Sequence, residues 1–116
     1  YYYLGLISAE LGLVDATVEA YQNAISLEPN SPSAYNNLAW FYAERNMNLD
    51  AAVALCQKAI QIDPKASYID TLAQIYYKQG RYEDALLEMS KVIQSTPENP
   101  IYIQHWEMIK GAARKD

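Results

Sequence analysis

Large apolar residues recur at Leu4, Leu38, Leu72 and Trp106, each 34 residues after the last, and their neighbours recur with them. Each is followed at once by Gly5, Ala39, Ala73 and then Glu107, and is preceded three residues earlier by Tyr1, Tyr35, Ile69 and Ile103. A fixed period of this length, with apolar residues at helical spacing inside it, marks helical hairpins stacked side by side. One unit cannot bury its own apolar face, so neighbours must share a core. The 116 residues accommodate three full units and a remainder, which suits an open-ended array better than a closed globule. Tyr1 stands where a first helix is already under way, with no Ser, Thr, Asp or Asn before it as a cap. The array is therefore expected to be a piece of a longer one.

Punctuation residues divide the repeat. Apolar spacing predicts a helix over 1–11 stopped by Gly12, where a positive φ is tolerated, and a second one carrying Val14, Val18, Tyr21 and Ile25 that ends at Glu28-Pro29-Asn30. Ser31-Pro32 is a helix start, because the hydroxyl can cap free amides and proline lacks an N–H that would go unused there. The next helix runs to about Glu44, and its partner begins near Leu49 and ends at Asp63-Pro64. The turn between them, Arg45-Asn46-Met47-Asn48, lacks a glycine and is one residue longer than its neighbours. The third unit runs from Ala66 to Pro97 with Gly80 at its turn, and Asn99-Pro100 opens a last helix. These signals predict about seven helices, with repeat one over 1–31, repeat two over 32–65, repeat three over 66–99, and a capping helix with a polar tail over 100–116.

Taken together, the period, the hairpins and the punctuation resemble the tetratricopeptide repeat family, and the phrasing around Asn36–Glu44 and Tyr68–Ala73 looks like bacterial members. The third unit matches most closely: Leu72-Ala73, Tyr76, Gly80, Tyr82, Ala85 and Pro97 fall where that family places a large residue, a small one, an aromatic, the turn glycine, an aromatic, an alanine and the closing proline. The resemblance implies an all-α fold, a right-handed superhelical array of antiparallel helix pairs with about three repeats and a C-terminal capping helix. Its small residues have a physical use. Ala39, Ala73, Ala52 and Ala85 let paired helices approach closely while large residues interlock around them. Glu107 departs from the pattern by putting a charge at the small-residue position of a fourth unit. A last helix with Ile103 and Trp106 packed inward and Glu107 in water then acts as a solvating cap.

Charge and composition exclude several functions. Net charge is −5, and residues 1–44 hold Glu10, Asp15, Glu19, Glu28 and Glu44 with no Lys or Arg. Such a surface repels polyanions, so nucleic-acid binding is not expected. Apolar runs stay short of 18 residues, so this segment inserts no helix in a membrane. The single Cys56 has no internal disulfide partner and reads as a small buried hydrophobe. His105, the one histidine, has only Glu107 beside it, which is too few ligands for a metal. Nucleophile motifs and Gly-rich phosphate loops are missing from the sequence, so an enzyme, a cofactor and a metal are not expected. Compartment stays open between cytoplasm and bacterial envelope.

Binding remains. In the resembled family the first helices of successive units line a concave groove that accepts an extended peptide. Removing the core positions from each first helix leaves Tyr2, Tyr3, Leu6 and Glu10 in unit one, Asn36, Asn37, Trp40 and Glu44 in unit two, and Asp70, Gln74 and Tyr77 in unit three. Aromatics supply contact area and amides can bond both sides of a peptide backbone, which suits an extended peptide or a partner's helix. The family's carboxylate clamp for chaperone tails is matched at Asn37 alone: Tyr2 and Leu6 stand where a lysine and an asparagine are wanted, and Ser67 and Thr71 where further cations are. A neutral to basic partner segment suits Glu10, Glu44 and Asp70 better. The alternative function is a structural spacer or self-association segment of a longer solenoid, with homo-oligomer contacts through the amino-terminal end.

Overall fold

The computed structural model describes residues 2–115, with side chains described over 13–114. Six helices and no strand occur among them: α1 Tyr2–Leu27, α2 Pro32–Glu44, α3 Leu49–Ile62, α4 Ala66–Lys78, α5 Tyr82–Ser95 and α6 Pro100–Lys115. The architecture is an all-α array in which α2 packs on α3 and α4 on α5 as pairs, with α1 against α2 and α6 against α5 at the two ends.

The turn expected at Gly12 is absent, and α1 runs through it without a break. A glycine inside a helix costs about 1 kcal/mol relative to alanine, which discourages the helix but does not stop it. Gly12-Leu13-Val14 brings neither a proline nor an N-cap directly behind that glycine, so continuing the i to i−4 ladder satisfies every amide. Among the described residues the count is therefore six helices rather than seven.

The two turns that do form close alike. At the α4–α5 turn Gly80 has φ +77°, and Arg81 N–H donates to the Tyr76 carbonyl at 2.8 Å. At the α2–α3 turn Asn46, 34 residues earlier, has φ 53°, and Met47 N–H donates to the Tyr42 carbonyl at 3.0 Å. Asparagine is among the few side-chain-bearing residues that tolerate this left-handed region, so it replaces the glycine without losing the turn. The extra residue is absorbed at Asn48, which is also left-handed with φ 48°. Gln79 Nε2 donates to Asp50 Oδ1 at 2.7 Å, tying the two turns together.

Helix starts differ in how they are capped. Asn99 Oδ1 accepts from the amides of Ile101 at 2.9 Å and Tyr102 at 3.3 Å, as the Asn-Pro start predicts. Ser31 has the extended backbone of a cap, but its hydroxyl bonds Ser33 Oγ at 3.2 Å instead of an amide. Tyr35 hydroxyl donates to the Pro29 carbonyl at 2.7 Å and fixes that corner from the other side.

The shared core is built where the repeat predicts it. Ala39, Ala52, Ala73 and Ala85 are fully buried at the helix crossings, and Leu38, Tyr42, Cys56, Leu72, Ile75, Tyr76, Met89, Val92 and Ile109 fill the space around them. Val18, Tyr21 and Ile25 of α1 join at one end, and Tyr102 and Trp106 of α6 at the other. Ile103 does not: it is 36% exposed, because Tyr102, Trp106 and Ile109 already fill the contact with α5 and Ile103 falls on another side of the helix.

Candidate functional site

α2, α4 and α6 touch one another in succession, whereas α3 and α5 do not meet. Helices drawn together on one side and spread on the other curve the array, so the α2–α4–α6 side is concave. Of the expected binding residues, those whose side chains are described belong to α2 and α4, two of the helices on that side. Side chains of Tyr2, Tyr3, Leu6 and Glu10 fall outside the described residues.

On α2, Trp40 is 40% exposed, Asn37 and Glu44 are exposed, and Asn36 is half-buried. Positions 33, 36, 37, 40 and 44 share a helical face. Asn37 turns toward α1 and lines a cleft of about 330 Å³ with Tyr21, Leu27, Ser33 and Ala34. Phe41, beside Trp40 in sequence, points the other way onto Tyr21, with ring centroids 6.1 Å apart.

On α4 the three expected residues diverge. Asp70 is half-buried and engaged: the Nδ1–H of His105 on α6 donates to its Oδ1 at 2.8 Å. Gln74 is only 8% exposed, so it is a buried polar residue rather than an open groove contact. Tyr77 is half-buried and leans on Tyr82 of α5, centroids 5.7 Å apart. Two amide atoms, Asn36 Oδ1 and Gln74 Nε2, are buried without a hydrogen-bond partner. Each such orphan costs about 1–3 kcal/mol and calls for an explanation.

Helical spacing of the first helices alone leaves α6 out of the expected surface, whereas in the fold α6 lies against α4. Ile101, His105 and Met108 stand at i, i+4 and i+7 and so share one face, and the His105 contact sets that face beside Asp70. Ile101 and Met108 are 57% and 42% exposed. The signal is present in the heptad-like spacing, but only the fold shows which way it points. A separate apolar cleft of about 430 Å³ lies between α1 and α3, floored by Tyr35, Leu38 and Tyr42.

Electrostatics and chemistry are spare. Ser67 and Thr71, at the clamp positions, offer no cation, and the Thr71 hydroxyl is spent on the Ser67 carbonyl at 3.0 Å. Cys56 Sγ donates to the Tyr68 carbonyl at 3.1 Å, and burial, followed by the charges of Glu88 and Asp70, pushes its pKa up from 9.0 to about 12. Burial and then Asp70 also raise the Tyr102 phenol. Among the described residues no cluster of three or more His, Cys, Asp or Glu could hold a metal, and no helix is long and apolar enough to cross a membrane.

Comparison with known proteins places this geometry. Models of the tetratricopeptide repeat match residues 47–104, 20–54 and 1–31. Small glutamine-rich tetratricopeptide repeat-containing protein 2 of Mycosarcoma maydis is 32% identical over 87 residues, covering 74% of this chain and 24% of its own length. The chain thus spans about a quarter of that relative. A thermophilic repeat protein of Thermus thermophilus superposes with a TM-score of 0.81 at 18% identity, over 88% of this chain and 52% of its own. The first such domain of Spaghetti (RPAP3), solved bound to an HSP90 peptide, gives 0.78 at 17% identity over 97% and 91%. With matches over most of its length and the paired-helix array that those matches imply, this chain belongs to the tetratricopeptide repeat family.

Proposed function

We propose that the chain is a non-enzymatic protein-interaction module that holds an extended peptide or a partner's helix against its concave face. The observation that carries this reading is Trp40, an indole left 40% exposed on α2. A large aromatic in that position supplies binding area at little entropic cost. The partnerless Oδ1 of half-buried Asn36 supports it, because a side-chain rotation could turn that oxygen to accept from a peptide N–H. The similar domain bound to an HSP90 peptide supports the class of partner. Its acidic ligand does not suit this face, where Glu44 and Asp70 stand and Ser67 and Thr71 replace cations; a neutral to basic segment does. The unit boundaries 1–31, 32–65, 66–99 and 100–116 remain our division of the array.

The test is selection of 12-residue peptides from a random display library on the folded chain, followed by affinity measurement with variants. Trp40→Ala combined with Asn37→Ala should weaken the selected peptides by more than roughly tenfold, as loss of an interface anchor does, with helicity unchanged. Changing the exposed Leu87 of α5 to serine should leave them bound. Equal affinity in the Trp40/Asn37 variant would overturn the groove reading and favour a spacer or self-association segment.

A further inference from the structure

The contact between His105 and Asp70 closes the concave face at its α6 end, joining residues 35 apart in sequence across two helices. The carboxylate can only accept, so Nδ1 carries the proton and donates. Both groups keep access to solvent, with His105 side chain 31% and Asp70 side chain 15% exposed. Ile101 and Met108 flank the imidazole on the same helical face. Asp70 is thus already paired, beside an apolar face of α6 and still partly open to solvent.

We propose that Asp70 is a shared carboxylate: His105 holds it in the free chain, and a lysine or arginine of the bound segment takes it over, with that segment's apolar neighbours seated on Ile101 and Met108. This rests on the concave-face reading and names the chemistry of its ligand, a basic residue between apolar ones. It also makes capture depend on pH. When the imidazole is protonated the pair is neutral overall and already ionic. When it is neutral the same spot carries the full charge of Asp70, so a cation is attracted more strongly as pH rises across the imidazole range.

Other charged and titratable groups belong to the helices packed there. Glu88, with Lys91 at 3.2 Å from it, comes from α5; Tyr102 of α6 feels the charge of Asp70; Cys56 of α3 lies within reach of the charges of Asp70 and Glu88; and α2, which also packs on α4, carries Tyr35, Tyr42 and Glu44. Cys56 and Tyr102 are both shifted upward, away from the imidazole range. His105, the chain's sole histidine, is thus the group whose change of charge the face would register.

The probes are a capped Leu-Leu-Lys-Leu-Leu peptide and its counterpart with glutamine in place of lysine, titrated onto the folded chain at about pH 5.5 and about pH 8. Affinity for the lysine peptide should rise about fivefold over that interval, the size expected of one added charge near a partly solvated contact. The glutamine peptide should show no such rise. His105→Gln and Asp70→Asn should each flatten the response, while Ile101→Ser with Met108→Ser should weaken the lysine peptide at both pH values. A lysine peptide that binds equally at both, or a pH response that survives His105→Gln, would overturn the shared carboxylate and leave the concave-face reading standing. Failure of both peptides to bind at either pH would sink the two together.

Discussion

Cys56 ties acid–base chemistry to the stability of the array. It sits fully buried where α3 meets α4, donates to the Tyr68 carbonyl, and is held protonated to about 12 against an ordinary 9.0. Above pH 9 the unfolded chain releases this proton while the folded chain keeps it, so the unfolded state is favoured and stability falls as pH rises from about 9 toward about 12. Stability below pH 9 is untouched by this group. At about pH 10 the unfolded thiol is roughly nine-tenths ionised and the folded one about a hundredth, which amounts to about 1.4 kcal/mol lost relative to about pH 8. Urea titrations followed by far-ultraviolet circular dichroism, run at both pH values on the native chain and on Cys56→Ala, isolate the effect. The variant carries a fixed packing penalty at both, and every other ionisable group is common to the two proteins, so the difference of differences belongs to the thiol. Native chain and variant losing equal stability between the two pH values would refute the argument that burial controls this group.

The remaining predictions concern packing and backbone. Met89→Ala empties a fully buried position between α5 and its neighbours and should cost about 2–5 kcal/mol in the same urea assay. Gly80→Ala meets no atom within 4 Å, so its cost of about 1–2 kcal/mol should come from the left-handed backbone alone, and Gly80→Asn should recover part of it, as Asn46 does in the sister turn. Gly12→Ala should stabilise by up to about 1 kcal/mol because α1 is helical there; a loss of stability would restore the hairpin that the sequence suggests.

Helix boundaries from α2 onward could be read from local signals because each is set within a turn or two of chain. Proline at the first helical position, asparagine before Pro100 and glycine at Gly80 act through their own φ and their own amides. Gly12 misled for the same reason. Its preference for a turn is worth only about 1 kcal/mol, too little to end a helix that no proline or cap interrupts. Ser31 shows the limit again, since its hydroxyl found Ser33 at hand.

The 34-residue period by itself determined that helices pair, which alanines sit at the crossings, and that the core is shared between units, because a chain repeating one apolar face has no other way to bury it. Tertiary structure alone decided the fate of the polar residues on the inner side. Helical spacing put Asp70, Gln74 and Tyr77 on one face of α4, but whether each meets solvent, another helix or nothing depends on what packs alongside. Asp70 is claimed by His105 from α6, Gln74 is enclosed, and Tyr77 leans on Tyr82. A period of residues fixes direction around a helix axis; the neighbour met in that direction is set by how the helices stack.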